Sequence, residues 1–276
     1  MLSVGDVVGW MEELYPPSGA ESWDRVGLIC GNRGAPVTKV LLAVDPVEEV
    51  GRQALETGAQ MIITHHPLYL RGTSFVSEDD TKGRLISTLI RSGVALYNAH
   101  TNADVAHDGV AQALSDLFGL RSAVPMVVGA DENVGLGRIG ELETPVPLTE
   151  FAALVAARLP KGPTGVLVGG DPERMVKRVA VSGGSGDSFL NLAGSLGADV
   201  YVTADLRHHP ASEHLEDGGP ALICGSHWAT EWPWLPVLAP KLESKALQGG
   251  EELEVVVSDL VTEPWFEHLP TQGEWL

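Results

Sequence analysis

Cysteine is almost absent: Cys30 and Cys224 are the only two in 276 residues. Two thiols cannot build a disulfide framework, and these are not spaced as a CxxC pair, so the chain reads as reduced and cytoplasmic. Positive charge is scarce as well. Lys and Arg number 18 against 37 Asp and Glu, for a net charge of −19, and no Lys/Arg run occurs. Such a surface repels nucleic-acid phosphates and anionic membranes, so neither is expected as a partner. No stretch approaches the roughly 18 apolar residues needed to span a bilayer. The start, Met1 to Asp6, lacks the basic residues and apolar stretch of a signal peptide. Low-complexity segments and short-period repeats are missing. So are the P-loop, the GxGxxG fingerprint and the GxSxG elbow, which leaves no motif for nucleotide folds or a Ser/His/Asp triad.

What is present is an ordinary globular composition, 44% hydrophobic, laid out in a regular rhythm. Ser3 and Asp6 look like a capping box for a first helix with Val4, Val7, Val8, Met11 and Leu14 on one face, stopped by Pro16-Pro17. From Lys39 short apolar runs alternate with helical ones. Val40–Val44, Met61–Thr64 and Val94–Tyr97 read as strands; 47–57, 82–91 and 108–118 read as helices. Residues 123–177 are less regular, with a strand-like Val134–Ile139, a helix over 148–159 and a short run at 166–168. The alternation then returns through Val179–Ser182, a helix over 188–196, Val200–Thr203, a helix over 211–215, Ala221–Cys224, a helix starting near His227, and Leu253–Val257. Strands alternating with helices of this length argue for largely parallel or mixed sheets flanked by helices. The expectation is an α/β fold of two lobes, 1–125 and 126–276, with the 227–231 segment returning to a shared cleft.

Polar residues collect where these strands end: Asp45, His65-His66, His100 through Asp104, Asp205 and His227. Open α/β sheets bind ligands beyond the carboxyl ends of their strands. Adjacent strand residues point to opposite faces, so His65 and His66 can serve two neighbouring ions, one each; a buried hydrogen-bonded pair is the alternative. Asp104 adds a carboxylate to imidazoles, a mix suited to Zn, Mn, Fe or Co, or else caps a helix. His100 reads as a metal ligand or as a group that orients one, with the orienting role favoured, and as a candidate proton relay. His227 and Glu231 stand four apart, on one helix face, where both can reach one ion or face solvent. Gly183-Gly184-Ser185-Gly186 between a strand and a helix is either an anion cradle or a tight turn. His208-His209-Pro210 repeats the tripeptide of the first lobe; His208 is a candidate proton donor, or a surface or cap residue. Trp228, Trp232 and Trp234 read as packing the core or an interface in preference to stacking on a substrate base.

Taken in order, Trp23-Asp24-Arg25-Val26-Gly27-Leu28, Thr64-His65-His66-Pro67, Ala99-His100-Thr101-Asn102-Ala103-Asp104, the 183–186 turn, Thr203-Ala204-Asp205 and Gly225-Ser226-His227 through Glu231 resemble the Nif-three-like proteins over nearly the whole chain. These are also called GTP cyclohydrolase I type 2 homologues. The resemblance implies a two-lobed α/β fold, two divalent metal ions per chain in the cleft and a toroidal homohexamer. By motif position His65, His66, Asp104, His227 and Glu231 correspond to the metal ligands. The activity implied is metal-dependent hydrolysis of a small nucleotide or phosphoester-type substrate; a ring-forming, non-enzymatic metal-binding adaptor is the alternative. Some members carry an extra domain in the middle, for which 125–177 leaves no room. Arg25 stands where many members have Asn, and the second HHP is richer in histidine than the family pattern; both bear on substrate contacts.

Overall fold

Alternation along single strands decides how the chain packs. In Lys39–Ala43, Val40 and Leu42 enter one hydrophobic cluster while Leu41 enters another on the opposite face. Met61–Thr64 and Ala95–Asn98 repeat the division, with Ile62 and Leu96 on the outer side. Both faces of the sheet are therefore covered, as its continuous apolar runs require.

The computed structural model describes residues 1–129 and 131–271. It contains a five-stranded sheet ordered Gly27–Cys30, Ala95–Asn98, Met61–Thr64, Lys39–Ala43 and Glu254–Val257. All pairs are parallel except the first, which is antiparallel. Helices Glu48–Thr57 and Thr81–Ser92 cover its outer face. Each of these two helices ends on a left-handed glycine, Gly58 and Gly93.

A second, six-stranded mixed sheet runs Arg121–Val124, Arg138–Pro147, Met175–Ser185, Val200–Ala204, Ala221–Gly225 and Leu167–Gly169. Its three central strands are parallel to one another and its edges antiparallel. The strand Glu254–Val257 follows this sheet in sequence yet pairs with Lys39–Ala43 of the first.

One continuous core joins the sheets. It includes Val40, Leu42 and Ile63 from the first, Val179, Val181, Val200, Val202 and Ile223 from the second, and Leu235, Leu238 and Leu242 of the helix Trp234–Gln248. That helix is pinned by the fully buried Trp234. Its indole Nε1 donates to Tyr15 Oη at 3.0 Å, the two rings meet edge to face, and the ring lies 5.7 Å from that of His65.

Arg138 is the one arginine buried with the core, 1% exposed. Burial lowers its pKa to about 10, with Asp116 and Asp108 opposing. No carboxylate bonds it; it donates to the carbonyls of Ala106, Gly135 and Gly137 and to Gln112 Oε1. It therefore ties the segment after the Thr101–Val105 helix to the start of the second sheet. Arg138→Met would leave these acceptors buried without donors. In denaturant titration it is expected to lose about 3 kcal/mol of stability; an unchanged midpoint would show that the carbonyls find other partners.

Candidate metal centre

Residues at or just past the ends of Ala95–Asn98, Met175–Ser185 and Ala221–Gly225 border one cleft of about 370 Å³, lined among others by Trp23, His100, Asp104, Phe189, His227 and Glu231, while His66 lines a separate pocket with Asp45. The chain leaves Met61–Thr64 with the ladder still paired, His65 N to Ala43 O and His66 N to Val44 O. Thr64 Oγ1 then donates to His66 O, and the rings of His65 and His66 lie 5.1 Å apart on the cleft side. His100 and the short helix Thr101–Val105 follow the next strand. Across the cleft Ser226 caps the helix His227–Glu231 through Ala229 N, so His227 and Glu231 stand one turn apart on a single face.

Each of four imidazoles is held by its Nδ1. His65 Nδ1 meets the carbonyl of Ala99 at 3.0 Å, His66 the carboxylate of Asp45 at 2.7 Å, His100 that of Asp24 at 3.0 Å and His227 that of Asp205 at 2.7 Å. A carbonyl or carboxylate only accepts, so each ring carries its proton on Nδ1 and presents Nε2 elsewhere. Those nitrogens converge. His66 Nε2 lies 3.2 Å from His227 Nε2, and Glu231 Oε1 and Oε2 lie 3.0 and 3.1 Å from His227 and His66. His65 Nε2 is 3.5 Å from Glu231 Oε1 and 3.7 Å from Asp104 Oδ1.

Two ligand sets satisfy metal-binding spacing, His66 with His227 and Glu231, and His65 with His66 and His100. Asp104 lies beside His65 at the longer distance and falls in neither set, whereas His100 is close enough to His65 and His66 to share an ion with them. His208 is not brought in: it is exposed at the start of the helix His208–Glu216 and packs edge-on to His209.

The electrostatics call for a cation. Burial alone would raise the Glu231 pKa, but His66 and His65 hold it well below the usual carboxylate range. Burial works against protonating His66 and His227, yet Glu231, with Asp45 or Asp205, raises the first well above its ordinary value and the second to about 9. Asp104 is pushed up to about 6 by burial, which outweighs the opposing His65. His65 Nε2 and Glu231 Oε2 are buried without any hydrogen-bond partner. Imidazole nitrogens and carboxylate oxygens aimed at shared points fit divalent Zn, Mn, Fe or Co.

Gly183, Gly184 and Ser185 close the strand Met175–Ser185 instead of forming a separate turn, and their glycines permit the close approach of Glu231 and His227. Gly184 N donates to Thr230 Oγ1 and Gly186 N to Ala204 O, so two of the amides a cradle would offer are taken. Gly184 has φ +64°, and a Cβ there would lie 2.3 Å from Glu231 Oε1 and 3.0 Å from His227 Nε2. Asp205, which orients His227, also has positive φ, 53°, a strained setting for a non-glycine residue. Asp45 and Asp205 were visible as polar residues near strand ends and Asp24 only as part of the Trp23–Leu28 motif, but only contact shows that each serves one imidazole.

Comparison with known proteins places this site in a lineage. A family model described as Duf34/NIF3 (NGG1p interacting factor 3) matches residues 2–264. A Streptomyces coelicolor protein named GTP cyclohydrolase 1 type 2 homolog is 46% identical over 98% of this chain and 95% of its own. The Mycobacterium leprae protein of the same name is 33% identical over 369 aligned positions, 95% of this chain and 94% of its own, so it carries inserted residues this chain lacks. A Staphylococcus aureus hypothetical protein of solved structure superposes with a TM-score of 0.88 at 28% identity, covering 97% of this chain and 99% of that one.

Gly184→Ala is expected to fold, with an unchanged circular dichroism spectrum, and to lose stoichiometric metal on elemental analysis, because its Cβ displaces the Glu231 carboxylate. Full metal content in that variant would show that the segment yields.

Proposed function

The chain belongs to the Duf34/NIF3 family, and from that premise we propose that it is a dinuclear divalent-metal protein that hydrolyses a small nucleotide or phosphoester-type substrate. The observation that carries the reading is the buried Glu231 carboxylate shared among inward-facing imidazole nitrogens. His65, His66, Asp104, His227 and Glu231 would hold two ions, with His100 beside them. Ions bound there supply Lewis-acid polarisation of a substrate oxygen and acidify water.

The chain's own residues do the rest. Among the described residues lining the cleft there is no Lys or Arg, so no side-chain cation competes with the ligand cluster for an anionic oxygen. Burial, then the neighbouring His65, lowers the His100 pKa. His100 Nε2 is therefore unprotonated at neutral pH, able to take a proton while Asp24 fixes the ring through Nδ1. Trp23, half-exposed and 6.0 Å from the His100 ring, and Phe189 offer apolar faces to a substrate at the cleft wall.

Self-assembly into a homohexameric ring belongs to the same proposal, supported by apolar side chains exposed on the second sheet at Leu167, Val168 and Met175. A cytoplasmic setting is part of it too. No helix among the described residues is long and apolar enough to cross a membrane.

The test is a panel of phosphomonoesters, phosphodiesters and nucleotides offered to metal-loaded protein. Turnover of at least one, abolished in a folded Glu231→Gln variant, is expected. Equal turnover in that variant would separate the activity from this cluster. Silence across the panel would favour a ring-forming metal-binding adaptor without catalysis.

A further inference from the structure

Beyond the strand Glu254–Val257 the chain crosses the carboxyl edge of the first sheet instead of leaving it. Ser258 N donates to Leu42 O at 2.8 Å, its carbonyl accepts from Trp232 Nε1 at 2.9 Å, and its hydroxyl donates to Gln53 Oε1 at 2.7 Å. Leu260 N returns to the Ser258 hydroxyl. Two consecutive side chains then reach the ligand cluster's supports. Thr262 Oγ1 donates to Asp45 Oδ2, while the other oxygen of the same carboxylate holds His66 Nδ1 at 2.7 Å. Glu263 Oε1 accepts from Trp228 N at 3.2 Å, one residue past His227.

These contacts join parts that are remote in sequence. His66 belongs to the first sheet and His227 to the second, yet one short segment grips the support of each. We propose that residues 258–263 form a strap in which Thr262 and Glu263 position the His66, His227 and Glu231 ligand set for its ion.

The physical reason is rotational freedom. A carboxylate turns about its last torsion in a broad, nearly two-fold well. With Thr262 on Oδ2, Asp45 keeps Oδ1 on His66 and the imidazole keeps its angle. The first amides of a helix need partners. Ser226 Oγ takes Ala229 N, and Glu263 takes Trp228 N, so both ends of that demand fix where His227 enters the cleft. Outer partners of this kind typically govern metal affinity by 10- to 100-fold when they bond a ligand directly; the strap acts one bond further out.

The proposal rests on reading the cluster as a metal centre, and the experiment keeps the two apart. Full-length wild type, Thr262→Val, Thr262→Ser, Glu263→Ala and the Thr262→Val, Glu263→Ala pair are titrated with Zn²⁺ against a chromophoric chelator. Thermal unfolding of each is followed in EDTA. The double variant is expected to bind the ion of the His66, His227 and Glu231 set about tenfold more weakly. Thr262→Ser should match the wild type, and the metal-free unfolding midpoints should stay together. Wild-type affinity for both ions in the double variant would overturn the strap. So would a metal-free midpoint that falls in step with affinity, since the segment would then be holding the fold and not the ligands. A wild type that binds no ion would refute the metal centre itself, and the strap with it.

Discussion

A buried carboxylate facing several imidazole nitrogens is the constraint on which the rest of the structure turns. Glu231 is 4% exposed, and His65, His66 and His227 approach it within 3.5 Å. An isolated buried charge is costly and persists only when paired. Protons on the imidazoles answer part of that demand, which is why His66 and His227 are driven up while Glu231 is driven down. A divalent cation answers it better, because it uses every lone pair that the fixed Nδ1 contacts have turned inward. Gly184, with no Cβ to strike Glu231, and Asp205, held at positive φ to reach His227, are local costs of bringing these groups together.

The fold supplies the convergence. Strands of both sheets end beside the candidate ligand cluster, so loops of the first sheet deliver His65, His66, His100 and Asp104 while those of the second deliver His227 and Glu231. The shared core keeps the sheets in register. Trp234 makes the connection concrete: it packs against the His65 ring, bonds Tyr15, and begins a helix that packs in the core shared by the two sheets. The candidate ligand cluster and the docking of the two sheets thus share one interface.

Much of this was legible from the residues, for definable reasons. Strands such as Met61–Thr64 and Val200–Ala204 are buried on both faces, so they read as short apolar runs bounded by glycine or polar residues. The candidate ligands stood out because histidine and carboxylate crowd the positions just after them. Less legible were elements whose burial is partial. Gly27–Cys30 lies half-exposed on an edge with no alternating face, and it leaves no pattern. The helix Trp234–Gln248 contains Pro240, which breaks the periodic signal although packing carries the helix through. Arg138–Pro147 extends past the expected strand at 134–139, paired by backbone and not by apolar alternation. The 183–186 segment shows how composition underdetermines role: the same glycines suit a cradle or a close approach, and only the occupied amides and the Glu231 contact decide. His208 lies exposed at the start of its helix, a placement that a repeated tripeptide carries no information about.

The most direct measurement is calorimetric titration of metal-free protein with Zn²⁺ at pH 7.5, repeated in two buffers of different ionisation enthalpy. Ligand imidazoles must be neutral to bind metal. Glu231 and Asp205 raise the His227 pKa to about 9 against the effect of burial, and Glu231 and Asp45 raise that of His66, so ion entry is expected to displace protons. The cluster described here predicts about two ions per chain, with protons released on binding and uptake weakening as pH falls. Absence of stoichiometric binding, or binding with no proton release, would contradict it.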